Sequence, residues 1–311
     1  MIESFQITFS QILVLFTFIA IGYLLKKTGK VSRDFNQGLS TLLVYIFLPF
    51  LTFGNMAEHF KLRVLAEKSS LLLVATGMFL LFLAIAFIFS RVLTKNSATR
   101  DVYIYSFSFP NSGYFGNPLV LAIFGEWMLF DYIIFCIPFF IATYTFGIYV
   151  LNPDKTFRLK NLMNPIMISL LLGMVAGASG ITLPPVAKTI LDTGANCMAP
   201  AAMILTGIVF ASNDLKKMLS NPKIYLACAI KMVLIPLVAV FLIAAAKIPE
   251  NIATIMIITF TLPCGLNSVV FPEAYGGDSR TGAQLCCIST LTCLIFLPLV
   301  LAFYHFLCGI L

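Results

Sequence analysis

Apolar residues occur in long runs along the chain, and short polar connections separate the runs. A helix that crosses a bilayer needs about 20 mostly apolar residues, and ten runs approach or reach that length. The predicted spans lie at about residues 6–25, 36–57, 69–90, 102–125, 130–151, 162–180, 185–211, 222–246, 251–276 and 281–308. Because the connections are short, the pattern predicts one all-α polytopic membrane domain over residues 1–311 and no soluble domain.

The overall composition supports this class. The chain is 60% hydrophobic and 11% charged, whereas a soluble domain carries about a quarter charged residues. No catalytic constellation, phosphate-binding loop or metal-ligand set occurs in the sequence, so we predict no enzymatic activity, no cofactor and no metal site. We ascribe the net charge of +7 to orientation in the membrane and not to nucleic-acid binding.

Basic residues in the connections predict the orientation of the spans. With the N-terminus outside, most Lys and Arg residues of the connections fall on the inner side, as cytoplasmic loops prefer. The residues before the first span include Glu3 and no Lys or Arg, which reverses the charge order of a signal peptide. We therefore expect a retained first helix, an even number of spans and both termini outside.

Two spans are interrupted in the same way. Residues 107–125 read FSFPNSGYFGNPLVLAIFG and residues 260–278 read FTLPCGLNSVVFPEAYGGD, each with two prolines among Gly and Asn. Their second prolines, Pro118 and Pro272, are 154 residues apart, and the span prolines Pro49 and Pro200 are 151 residues apart. Since five spans per half would insert the second half from the opposite side, the sequence predicts an inverted repeat of residues 1–157 and 158–311.

The two breaks also predict a binding site. Proline removes a backbone donor, and unpaired backbone groups cannot face lipid, so each break should line a wet cavity. Pro118 and Pro272 suit the first turn of a restarting half-helix, and Asn117 stands in a cap-like position. The N-terminal ends of half-helices carry partial positive charge and would bind a carboxylate.

The residues assigned to this site fall into two groups. The predicted substrate-binding residues are Asn111, Ser112, Gly113, Asn117, Pro118, Asn267, Ser268 and Pro272. The residues predicted to shape the crossover backbone are Pro110, Gly116, Pro263 and Gly265. The alternative is that the asparagines only satisfy broken backbone and that the glycines only permit the chain path.

The interrupted spans resemble those of a known family. The segments SFPNSGYFGNPLVLAIFG, LPCGLNSVVFPEAYGGD and, in the second span, LLVYIFLPFLTFGNM resemble the auxin efflux carrier family, in particular the bacterial permease branch that is similar to plant PIN carriers. The resemblance covers essentially the whole chain. The long central loop of the plant carriers is missing, so auxin itself does not transfer as the cargo.

The resemblance implies an architecture and a cargo. It implies a ten-helix 5+5 inverted repeat similar to the sodium/proton antiporters and bile-acid symporters, in which spans four and nine cross beside the site. It implies a scaffold of spans 1, 2, 6 and 7, a transport part of spans 3–5 and 8–10, and a homodimer. It also implies an organic anion as cargo and a location in the plasma (inner) membrane of a prokaryote.

Other polar residues within the spans are candidates for coupling or support. Lys231 is expected to extend its ammonium to the inner surface, and the alternatives are a fixed cation near the anion path or a partner for Glu273. Glu273 is either a dipole-stabilised cap or a proton-coupling group. Asp192 either faces water or points with Asn196 into the groove, and Tyr45 is a candidate for the scaffold wall.

These observations predict a secondary transporter for a small organic anion, a carboxylate by preference, that works by alternating access with a proton or Na⁺ as the coupling ion. Two alternatives remain. One is a cation/proton antiporter of the same architecture, which would normally place a carboxylate at the crossover. The other is a sensor built on a transporter fold, because a fold does not fix function.

Overall fold

Helices make up almost all of the regular structure in the computed structural model, which describes residues 2–32, 35–212 and 221–310. Within these ranges the chain forms no β-strand, and its one isolated β-bridge lies between two helix breaks. The all-helical class predicted from the sequence is therefore confirmed.

Thirteen helical segments are numbered here in chain order over the described residues. Their bounds are α1 Ile2–Lys27, α2 Phe35–His59, α3 Leu62–Glu67, α4 Ser69–Leu93, α5 Ser97–Ser108, α6 Ser112–Leu151, α7 Pro165–Ser179, α8 Pro185–Asn196, α9 Met198–Ser212, α10 Pro222–Ala246, α11 Glu250–Thr261, α12 Asn267–Tyr275 and α13 Ser279–Ile310. A 3₁₀ turn at Leu159–Leu162 precedes α7.

Seven of the described helical runs are long and apolar enough to cross a membrane, namely α1, α2, α4, α6, α8 with α9, α10 and α13. The predicted sixth span corresponds to α7, an apolar helix of 15 residues. The predicted fourth span is divided between α5 and the start of α6, and the ninth is divided between α11 and α12. The chain is a multi-pass helical membrane protein, and the total of ten spans stays a prediction.

Several prolines lie inside long helices without ending them, and three of these follow a wider turn. Pro49, Pro118 and Pro236 each stand two residues after a π-helical turn. In each case the residue before the proline donates its N–H to the carbonyl five residues back, as Asn117 does to Ser112. Because proline has no N–H to offer, the wider turn lets the helix continue past it.

Glycines allow two pairs of helices to approach closely. The most extensive helix contacts join α1 to α9 and α2 to α7. A Cβ atom on Gly207 of α9 would collide with the Ile19 backbone of α1, and one on Gly177 of α7 would collide with the Met56 carbonyl of α2. Since helices in lipid associate through close packing, these small residues stabilise both pairs.

Aromatic rings hold the interrupted segments in place. The Phe260 ring near the end of α11 lies 4.4 Å from the Phe82 ring and 6.0 Å from the Phe139 ring, centroid to centroid. Next to the other break, the Tyr105 and Phe109 rings stack at 4.5 Å. Ring pairs of this kind add about 0.5–1.5 kcal/mol each beyond their buried area. The breaks therefore lie within a well-packed interior.

We expect Gly207→Ala to destabilise the fold, because its methyl group would overlap the backbone of α1. Overpacking of this kind costs about 1–3 kcal/mol. Gly77→Ala is the matched control, since nothing lies within 4 Å of a Cβ atom there. Thermal unfolding of the detergent-solubilised protein should give a lower midpoint for Gly207→Ala only. Equal midpoints for the two variants would contradict the close packing of α1 and α9.

Candidate functional site

The two helix breaks pair with each other through their backbones. Pro110 and Cys264 form an antiparallel bridge. The Asn111 N–H donates to the Pro263 carbonyl over 2.9 Å, and the Gly265 N–H donates to the Phe109 carbonyl over 3.2 Å. Because buried backbone groups need partners, each break supplies what the other lacks.

The first proline of each pair causes the break. Phe109 precedes Pro110 and is extended, with φ −113° and ψ 103°. Leu262 precedes Pro263 and is also extended, with φ −61° and ψ 150°. A residue before proline avoids the helical region because it would clash with the proline ring. Helix α5 therefore ends at Ser108, directly before Phe109, and helix α11 ends at Thr261, directly before Leu262.

The prediction that Pro272 begins a half-helix is wrong, whereas Pro118 does stand in the first turn of the α-helical part of α6, Asn117–Ala142. After the breaks, the helices restart at Ser112 and Asn267. Pro118 follows the π turn that begins there, and Pro272 lies inside α12. The physical reason is that the residues before Pro110 and Pro263 are extended and end their helices, whereas Pro272 lies within a helix that continues through it.

The N-terminal ends of α6 and α12 line one cavity of about 30 Å³. From the breaks, its walls include Pro110, Asn111, Ser112, Gly113, Gly265 and Asn267. A buried water needs about 10–15 Å³, so the cavity has room for roughly two waters. At this size the cavity is too small for a molecule much larger than water.

The N-terminal ends of two helices place partial positive charge beside this cavity. The first-turn N–H groups of a helix lack intrahelical acceptors and carry the positive end of the dipole. At the start of α6, the Phe115 and Gly116 N–H groups both donate to the Asn111 carbonyl. No carboxylate is among the described residues that line the cavity.

A group of hydroxyl side chains, which was not predicted from the sequence, completes the cavity wall. Tyr105, Thr143 and Tyr144 line the cavity together with Tyr114. The Tyr105 hydroxyl lies near the side chains of Asn267 and Thr143 in this wall. The available signal was the run of aromatic residues just before the first break, in which Tyr105 stands five residues ahead of Pro110.

Several predicted site residues lie beside the cavity and not in its wall. Asn117 is 1% exposed and lies inside the helical run, so its predicted cap-like position is wrong. The Ser268 hydroxyl donates to the Gly265 carbonyl over 2.7 Å and so serves the local backbone. Gly116 is packed against the Tyr132 ring, whose hydroxyl donates to the Ser112 carbonyl over 3.4 Å.

Lys231 is fully buried, so the prediction that its ammonium reaches the inner surface is wrong. It lies in the π turn Ile230–Leu234 of α10, which packs against α5, α11 and α13. Its side chain lies near the thiols of Cys264 and Cys293. The expected partnership with Glu273 concerns a side chain outside the described part of the structure.

A second cavity, of about 220 Å³, is lined by Asp192 and Asn196 of α8 together with Asn55, Glu126 and His59. The His59 Nε2 lies 3.6 Å from the Glu126 Oε2, and its ring lies 4.4 Å from the Trp127 ring. The structure thus brings Asp192 and Asn196 together, but away from the helix breaks. Tyr45 is 64% exposed and lines neither cavity.

The sequence was compared with family profiles and with curated proteins. A family profile described as a membrane transport protein matches the chain in two segments, residues 7–156 and 149–301. The search of curated proteins gave no match. The two matched segments together extend over nearly the whole chain, and they confirm the resemblance seen in the interrupted spans. The chain therefore belongs to the membrane transport protein family, the family of the auxin efflux carriers.

Proposed function

We propose that this member of a transporter family is a secondary carrier of small organic anions, with carboxylates as the favoured class. The main support for this proposal is that the N-terminal ends of α6 and α12 line the same cavity. Two positive dipole ends facing one space favour an anion over a cation. The amide side chains of Asn111 and Asn267 add donors that can bind a carboxylate group.

The same cavity argues against a cation/proton antiporter. Such a protein would normally need an ionisable carboxylate where the breaks meet, because a carboxylate supplies the negative charge that binds the cation. Within the described residues, the cavity wall contains amides, hydroxyls and glycines but no Asp or Glu. The lining chemistry therefore supports anion transport.

The arrangement of helices supports a ten-span inverted repeat. In a 5+5 repeat the pseudo-two-fold axis exchanges span one with span six and span two with span seven. The contact of α1 with α9, spans one and seven, is then equivalent to the contact of α7 with α2, spans six and two. The two breaks, in spans four and nine, pair with each other. We propose residues 1–157 and 158–311 as the two repeats.

We further propose that α1, α2, α7, α8 and α9 form the scaffold and that α4–α6 and α10–α13 form the transport part. The cavity supports this division, because Leu48 of α2 and Ile166 of α7 close a wall that is otherwise built from the transport part. Movement of the transport part past these two side chains would widen the cavity. That movement is the alternating-access step.

The proposed function also includes the assembly of the protein, its orientation in the membrane and the direction of transport. We propose a homodimer in the plasma membrane of a prokaryote, with both termini outside, as the positive-inside pattern favours. An inside-negative potential favours anion export by about 2.3 kcal/mol per charge per 100 mV. Uptake against this potential would need a coupled proton or Na⁺.

A ligand screen followed by a transport assay tests the function. Monocarboxylates and dicarboxylates should raise the unfolding temperature of the purified protein, and at least one should exchange in a proteoliposome counterflow assay. Binding without exchange would instead indicate a sensor. Stabilisation by Na⁺ alone, with no effect of any carboxylate, would contradict the proposal and favour a cation/proton antiporter.

We expect Asn111→Ala and Asn267→Ala each to weaken binding of the carboxylate by about tenfold, the cost of losing a hydrogen bond to a charged group. Asn251→Ala is the matched control, because Asn251 is an exposed asparagine in the first turn of α11. Titration calorimetry should separate the three variants. Wild-type affinity in both cavity variants would remove the amides from the site.

We expect Pro110→Ala and Pro263→Ala to lower the counterflow rate by about 10- to 100-fold, since small misplacements of a site carry costs of that size. Each change lets the preceding residue adopt helical geometry and so disturbs the backbone pairing. Pro272→Ala should have a smaller effect, because Pro272 lies inside α12. The reverse order of effects would show that the second proline of each pair controls the site.

A further inference from the structure

The Lys231 ammonium is the most unusual charge in the interior. The side chain is 0% exposed, and its Nζ has no hydrogen-bond partner within the described part of the chain. Burial of a charged amine without a partner is costly, and buried charges in proteins are normally paired. A lysine buried in this way needs either a negative charge that binds nearby or an amine that is neutral.

The amine lies beside the paired breaks and is not among the residues that line the cavity. Cys264, one of the two thiols near its ammonium, belongs to the bridge with Pro110. The other, Cys293, lies 3.7 Å from the Thr261 carbonyl at the end of α11. Lys231 is therefore close to the C-terminal end of α11, where the helix dipole favours a cation. The N-terminal end of α12, after the same break, faces the cavity.

Few other charges act on this amine. The neighbouring groups are the Cys264 thiol after α11 and the Cys293 thiol of α13, and the Ser106 hydroxyl of α5 lies near Cys264 without a hydrogen-bond partner among the described residues. The charged residues of these elements stand near their starts, at Arg100, Asp101, Glu250 and Arg280. The Asp101 carboxylate is already paired with Lys155. Among the described side chains, no carboxylate is available to hold the ammonium.

We propose that Lys231 is the proton-binding site that couples anion movement to proton movement. The amine is neutral while the cavity is empty, and it takes one proton from water when an anion occupies the cavity. The step is R–NH₂ + H⁺ + A⁻ giving R–NH₃⁺ and bound A⁻, with no bond to carbon made or broken. This coupling rests on the proposed carboxylate cargo and specifies its coupling ion as the proton.

Thermodynamic linkage fixes the sign of the effect. If the anion favours the protonated amine, then protonation favours anion binding by the same factor. Carboxylate affinity should fall as pH rises through the range where the amine loses its proton, by at most about tenfold per pH unit. A monocarboxylate carried with one proton moves no net charge, so its flux should be independent of membrane potential.

The experiment counts protons taken up on binding and transport. Calorimetry with the best carboxylate, in two buffers of different ionisation enthalpy, should give about one proton per anion for the wild-type protein. Lys231→Met should bind without proton uptake and with an affinity that does not change with pH. Lys231→Arg, which stays charged, should also bind without proton uptake, and its flux should respond to membrane potential. Lys223→Met is the control, because Lys223 is exposed on the same helix.

The outcomes separate this inference from the proposed function. Carboxylate binding in the wild-type protein without proton uptake would overturn the inference and leave the carrier intact, as would unchanged proton uptake in either Lys231 variant. If Lys231→Met loses binding or fails to fold, the number of protons that Lys231→Arg takes up on carboxylate binding decides the question. Absence of carboxylate binding and counterflow in the wild-type protein at every pH would contradict the proposed function itself.

Discussion

The structure depends on one interaction, the antiparallel pairing of two short extended segments inside an apolar interior. Each segment interrupts a helix, and each would leave backbone donors and acceptors without partners if it stood alone. Because neither lipid nor apolar side chains can satisfy those groups, the two breaks have to meet. Hydrogen bonds from Asn111 to Pro263 and from Gly265 to Phe109 close the junction.

This pairing creates an electrical asymmetry at one point in the membrane. The N-terminal ends of α6 and α12 face the small cavity, while the C-terminal end of α11 lies near Lys231. The helix dipoles therefore put partial positive charge at the cavity and partial negative charge near Lys231, although no charged side chain forms the junction. In a low-dielectric interior, charges at the two sites would influence one another strongly. The proposed coupling between the cavity and Lys231 rests on this arrangement.

Much of the candidate site could be predicted from the sequence, but its details could not. Prolines, glycines and asparagines within apolar runs located both breaks, because these residues cannot continue an ordinary helix. The start of the second half-helix was predicted at Pro272, but α12 already begins at Asn267 and continues through Pro272. The tyrosine hydroxyls near Asn267 were missed, because an aromatic residue in a membrane span looks like ordinary core.

The sequence by itself determined the membrane class, the helical fold, the family and the positions of the two breaks. These properties follow from local composition and from the backbone limits of proline. Only the tertiary structure decided that the breaks pair, that Lys231 is enclosed, and that Asp192 and Asn196 share a separate cavity with His59. These outcomes depend on which helix faces meet, and the apolar character of a membrane span is nearly the same on every face.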